Sequence, residues 1–221
     1  MAEQEQPRFQ PAGDSAVLVT FSGRIDLETN RRVHALARAL MQQPQPGLLE
    51  PVPGYASLLV HYDPVQLTFS QVQEYLLKNL SSGEVLSFQP RRVEIPVAYG
   101  GEDGPDLGFV AEHSHLTPEE VIRIHASRDY PVYMMGFTPG FPYLGGMDSA
   151  IAAPRLSTPR KAVPSGSVGI AGEQTGVYPI ESPGGWRIIG RTSARLFDPR
   201  REPPFLLAPG DLVRFVPVEG L

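Results

Sequence analysis

Between Val132 and Gly190, 18 of the 59 positions are glycine or proline, and the gaps hold Tyr133, Phe137, Phe141, Tyr143, Tyr178 and Trp186. Proline fixes φ and removes a backbone donor, while glycine admits positive φ, so this spacing leaves no room for a long helix. Short strands joined by tight turns do fit. The apolar runs Pro131 to Met135, Ser167 to Ala171, Val177 to Ile180, Trp186 to Ile189 and Asp211 to Val216 supply them. The segment reads as an all-β barrel or sandwich. Disorder is a poor reading, because hydrophobic residues make up 41% of the 221, a normal share for a packed protein.

The first part of the chain has a different rhythm. Ser15 to Phe21 is a run of branched apolar residues that suits a buried strand. Asp26 is placed to cap a helix whose stripe is Val33, Leu36, Ala37, Leu40 and Met41, with Glu28 near its positive end and PQPG after it. Leu48 to Val52 and Ser57 to Tyr62 follow as strands, then a helix carrying Val72, Leu76 and Leu80 behind a Ser70/Gln73 capping box. The order β-α-β-β-α, with a strand to follow, fits a small ferredoxin-like α+β domain over residues 1–88. Arg92 to Ala98 resumes strand character, which sets residues 89–221 apart as the β-barrel domain. Thr117-Pro118-Glu119-Glu120 opens the one helix read in that half, with Val121, Ile124 and His125 on one face.

Composition removes several functions. A net charge of −5 argues against general nucleic-acid binding, and the absence of cysteine excludes disulfides, thiolate metal sites and cysteine nucleophiles. The polar start MAEQEQPRFQ has no signal pattern, and no apolar run approaches the roughly 20 residues that span a bilayer, so cytoplasmic residence without a membrane partner is expected.

Three segments carry candidate chemistry. GFTPGFPYLGG, Gly136 to Gly146, presents Phe137, Pro139 and Phe141 on a restricted backbone, suited to walling a pocket or an interface. Val163 to Pro179 places Gly166, Gly169 and Gly172 three apart among Ser165, Ser167, Gln174, Thr175 and Tyr178, a pattern suited either to an anion cradle or to a plain hairpin. It contains no Walker-A motif, GxGxxG or GxSxG. Arg160 and Lys161 lie just upstream within a stretch rich in arginine, fit to meet a carboxylate or phosphoryl group, and PGGW leads into Trp186. His113 and His115, two apart, could share one side of an extended segment and transfer protons; without a carboxylate nearby no metal is expected.

GFTPGFPYLGGMD, TPRKAVPSGSVGIAGEQTGVYPIESPGGWRIIGRT, LFDP and PGDLVRFVP together resemble the family known as the 5-oxoprolinase B subunit, allophanate hydrolase subunit 1 or Kip-type histidine-kinase inhibitor. VPGY, IPVAYGGEDGPDL and LTPEEVIRIHAS extend the likeness to nearly the whole chain. The resemblance implies a cyclophilin-like barrel after the α+β domain. It also implies a subunit of an ATP-dependent hydrolase, inactive alone, that opens 5-oxoproline to glutamate with a larger carboxyltransferase-like subunit and a third subunit. ATP, with or without Mg2+, would enter at the level of the complex. On that reading Arg160, Lys161 and His113 are the catalytic candidates, and Phe137, Pro139, Phe141, Ser167, Gln174, Thr175, Tyr178 and Trp186 bind substrate. The same family leaves two alternatives: an inhibitor that docks on a sensor histidine kinase, and half of a biotin-dependent urea carboxylase or allophanate hydrolase type carboxyltransferase unit.

Overall fold

A computed structural model describes residues 6–81 and 90–220, and the chain divides into two compact units, Met1–Gln89 and Pro90–Leu221. The first is an antiparallel sheet of β1 (Arg8–Pro11), β2 (Ala16–Thr20), β3 (Leu48–Pro53) and β4 (Ser57–Tyr62) in the order β1-β2-β4-β3. Helices α1 (Leu27–Gln42) and α2 (Phe69–Ser81) bring Val33, Leu36, Leu40, Val72 and Leu76 onto Val17, Val19, Leu58 and Val60. β2 and β3 run parallel with β4 inserted between them, a split β-α-β unit. The edge beside β2 is filled by β1, which the sequence reading did not foresee. The strand expected after α2 lies outside the described residues where it would fall in 82–89.

Local capping explains both helices. Asp26 accepts hydrogen bonds from the Thr29 amide (2.8 Å) and hydroxyl (2.7 Å), which hold its carboxyl below the usual range. Met41, expected in the buried stripe, is exposed, so the apolar face ends at Leu40. The second capping box is Thr68 and Gln71 instead of Ser70 and Gln73: the Gln71 side chain accepts from the Thr68 amide at 2.9 Å. Both pairs satisfy the same sequence pattern, and the fold starts the helix two residues earlier.

The second unit is a closed barrel of seven strands, with β5 (Arg92–Tyr99), β6 (Asp129–Met135), β7 (Pro142–Leu144), β9 (Ser167–Ala171), β10 (Gln174–Val177), β12 (Arg187–Arg191) and β13 (Leu212–Val218). They close in the order β10-β7-β6-β13-β5-β12-β9, and a separate ribbon pairs β8 (Arg160–Val163) with β11 (Ser182–Gly184). β13 runs parallel to β5 over seven paired residues, while the other barrel pairs are antiparallel. Alternate residues such as Ile95 and Val97, or Val213 and Phe215, fill one core together with Tyr130, Val132, Val168, Ile170 and Ile189. Two helices pack on that core, α3 (Leu107–His113) through Val110 and α4 (Pro118–His125) through Val121. α3 escaped the sequence reading because it is only seven residues long and carries Gly108. α4 starts as expected, with the Thr117/Glu120 capping box and Pro118 at its first turn.

Gly166 shows why glycines crowd this unit. Its φ is +85°, a Cβ there would lie 2.1 Å from the Thr192 carbonyl oxygen, and that residue's amide bonds Gly166 O at 2.9 Å. Gly166→Ala adds positive-φ strain to a backbone collision, so a loss of about 3 kcal/mol is expected, read as a melting temperature roughly 10 °C lower.

Candidate functional site

The GFTPGF loop is built by three backbone hydrogen bonds. Gly136 N donates to Phe141 O at 3.1 Å and closes it. Thr138 N donates to Gly136 O at 2.7 Å around Phe137, whose φ is +64°: a γ-turn of the rare positive-φ kind. Phe141 N donates to Thr138 O at 3.1 Å across Pro139-Gly140, with Gly140 at φ +85°, which is a type II turn with proline and glycine where that turn wants them.

The loop separates its two phenylalanines. Phe141 is buried at the centre of an edge-to-face ring cluster, 5.0 Å from Tyr143, 5.3 Å from Tyr178 and 5.4 Å from Trp186 between centroids. Phe137 sits edge-on to Phe141 and Tyr178 yet is 60% exposed. Phe141, Tyr178 and Trp186 thus form a satellite core with Val163, Ala171 and Ile188, and their surfaces are spent on one another. Burial pushes the Tyr178 hydroxyl's pKa up. Of the aromatics expected to bind substrate, these three are buried and Phe137 is the one left open, beside an exposed Pro139.

The polar candidates separate in the same way. Thr175 is fully buried: its hydroxyl donates to Gly169 O (3.0 Å) and, having one proton, accepts from His125 Nε2–H (2.8 Å). His125 Nδ1 then accepts from the Tyr99 hydroxyl at 2.7 Å, so the imidazole is neutral, and its burial lowers its pKa from 6.5 to about 3. Thr175 is therefore part of the barrel core, with its hydroxyl committed to Gly169 and His125. Ser167 is likewise buried within β9, and Gln174 is half-buried at the start of β10. The strand expected over Val177 to Ile180 lies earlier in the chain: β10 covers Gln174–Val177 and shares only Val177 with that run, since Pro179 offers no donor for a ladder beyond it.

Arg160 is already paired. Its Nη2 donates to Asp106 Oδ1 at 2.9 Å and its Nη1 to Trp186 O at 3.3 Å. Asp106 is buried, and its other oxygen accepts from Ile188 N at 2.6 Å, while Arg187 Nη1 approaches to 3.9 Å. Arg187 Cζ lies 3.4 Å from the centroid of the Phe109 ring, against which His113 stacks at 5.8 Å. One connected string, Arg160, Asp106, Arg187, Phe109 and His113, joins two residues that the sequence reading had picked separately. It missed Asp106 and Phe109 and took Arg187 only as one arginine of the basic stretch; the signal available was Asp106 standing immediately before an apolar Leu107–Val110–Ala111 spacing. His113 and His115 do not share an extended segment: the first ends α3 and the second turns with φ +55°. Among the described residues no cluster of histidine or carboxylate side chains could hold a metal ion.

The glycine segment is the plain hairpin. The amides of Gly166, Ser167 and Gly172 donate to Tyr178 O, Pro164 O and Ala153 O, and Gly169 lies between Gly176 and Ile188 in the barrel wall. Those three donors are committed to the fold, which leaves them none to offer an anion. Lys161 and Arg155 are exposed and have no carboxylate partner among the described residues.

A model of the carboxyltransferase domain, subdomain C and D, matches residues 7–207. The chain belongs to that family. Within it, the chain is 48% identical over 95% of its length to the 5-oxoprolinase B subunit of Bacillus subtilis, covering 92% of that protein. Among solved structures, PH0987 from Pyrococcus horikoshii, described as a conserved uncharacterized protein, is 54% identical, with 96% of this chain and 98% of that one covered at a TM-score of 0.58. TTHA0988 is 43% identical over 93% of this chain with a TM-score of 0.83, and there the chain spans only 40% of the longer protein. The family thus places this two-unit module both on its own and inside larger chains. No helix among the described residues is long and apolar enough to cross a membrane.

Proposed function

We propose that this chain is the B component of an ATP-dependent 5-oxoprolinase, working in the cytoplasm with companion subunits and inactive without them. The carrying observation is its 48% identity, nearly end to end, to a protein of that name. A five-membered lactam resists water because its amide is stabilised by resonance. Transfer of the ATP γ-phosphoryl group to the lactam oxygen leaves ADP and an electrophilic carbon; water adds there, the C–N bond opens with the nitrogen taking up a proton to leave an acyl phosphate, and a second water hydrolyses that to glutamate and phosphate.

Within such a site the exposed cations Lys161 and Arg155 meet the substrate carboxylate or the developing phosphoryl charge. Arg160, held by Asp106, fixes the Trp186 turn and acts as a positioning residue. His113, exposed at the end of α3, is available for proton transfer. The nucleotide and any Mg2+ are assigned to the complex, whose other members are a larger carboxyltransferase-like subunit and a third chain.

The test is glutamate release from 5-oxoproline and ATP by the assembled subunits, with and without this chain. Release that requires this chain is the expected result. Equal release without it, despite verified assembly of the rest, sinks the reading. The family description favours one second reading, a half of a biotin-dependent carboxyltransferase unit; turnover abolished by avidin would select it.

A further inference from the structure

Phe137 combines three features that conflict with a purely structural role. It is a bulky residue at positive φ, which costs backbone strain; its turn is locked by the Gly136–Phe141 and Thr138–Gly136 hydrogen bonds; and its ring is 60% exposed. Strain that persists with so little burial in return indicates that the ring's position is what the loop maintains.

The surroundings say what kind of ligand fits. The rings behind Phe137 are packed solid, so the feature is a knob and not the concave site a small molecule needs. The knob also continues into a second exposed aromatic. A Cβ on Gly140 would lie 3.0 Å from Phe197 Cβ, and Phe197 stacks at 5.3 Å on Phe205, itself 41% exposed. Cations border both ends. Arg195 and Arg200 share the single carboxylate of Asp198 at 3.0 and 3.5 Å, with side chains 65% and 83% exposed, and Arg155 acts electrostatically on Tyr178 next to Phe137. Exposed aromatics ringed by arginine are the make-up of protein interface centres.

We infer that the Phe137 turn and the Phe197–Phe205 loop form the docking surface for a companion chain, which presents an apolar socket ringed by carboxylates. This rests on the reading of the protein as one subunit of an assembly. Charge selects that occupant over a second copy of this chain: an isologous pairing on this face would set arginines against arginines.

Three full-length proteins, wild type, Phe137→Gly and Phe137→Ala, test it against the purified companion carboxyltransferase-like subunit. Two readouts are needed, the melting temperature of each chain alone and its dissociation constant at low and high salt. The expected result is that Phe137→Gly melts a few degrees above Phe137→Ala, because glycine accepts the φ, while both bind at least tenfold more weakly than wild type. Wild-type binding should also weaken as salt rises. Dissociation constants within twofold of wild type for both variants overturn the surface, as does wild-type protein that binds no companion. Normal docking with no glutamate release leaves the surface standing and removes the 5-oxoprolinase reading, so the two failures are distinct.

Discussion

Lowering the pH from 7 to 4 is expected to remove about 3 kcal/mol of stability through one residue, His125. Inside the barrel the imidazole is fully buried, bonded by Tyr99 and Thr175, and stacked on Phe215 at 4.5 Å. Its pKa there is about 3, against 6.5 when exposed. A base whose folded pKa is depressed is neutral in both states at pH 7, so its stability contribution is complete above pH 6.5. As pH falls below 6.5 the unfolded chain takes up a proton that the folded chain refuses, and stability drains until the folded pKa is reached. The raised pKa of the buried Tyr99 keeps that neighbour neutral throughout, and the carboxylates with depressed pKa values, such as Asp129 under Arg214 and Arg92, act at lower pH. Denaturant unfolding of wild type and His125→Gln across this range is the measurement. The variant loses ring packing at pH 7, about 2 kcal/mol, but has nothing to titrate, so the two curves should converge on acidification. Parallel curves would show that His125 is not the acid-sensitive group.

Asp106→Ala is expected to destabilise the second unit by about 3 kcal/mol, a melting temperature lower by roughly 10 °C. The carboxylate is nearly buried and holds three groups at once: the Ile188 amide, Arg160 and, more loosely, Arg187. Removing it strands an amide and leaves two guanidinium groups without their counter-charge. The figure sits at the low end for a broken buried pair, because the Arg160 side chain is 30% exposed and regains water. Asp106→Asn keeps an acceptor for the Ile188 amide and should fall between the two. In the assembled enzyme both variants should also slow turnover, since Arg160 loses the partner that aims it at the Trp186 turn. A loss under about 1 kcal/mol for Asp106→Ala would mean that Ile188 and Arg160 find other partners, and the string to His113 would lose its centre.

Much of the architecture was legible because its causes are local. Branched apolar runs, the Asp26 and Thr117 caps and the glycine-proline spacing act over a few residues, and they announced the α+β unit, the β-rich unit and helix α4. The motifs of the GFTPGF loop and the TPRK segment also sufficed to point to the family. Errors arose where two local choices satisfy the same rule, as with Thr68 against Ser70 for the second cap, or where an element is too short to show a period, as with α3 and β1.

Partnership was decided by the tertiary structure. No sequence spacing shows that β13 lies parallel to β5, some 120 residues away as the Arg91–Asp211 pair across them illustrates, or that Asp106 reaches Arg160 over 54 residues. Nor could it say which of Phe137 and Phe141 is buried, because that depends on the sign of φ at one residue and on the three rings waiting behind the loop. Composition selected residues capable of chemistry; closure of the barrel then consumed Thr175, Ser167, Phe141, Tyr178 and Trp186 in packing and left Phe137, Lys161 and Arg155 facing outward. The physical reason is that burial and hydrogen-bond satisfaction are properties of three-dimensional neighbours, while the chain's own order specifies only what each residue can offer them.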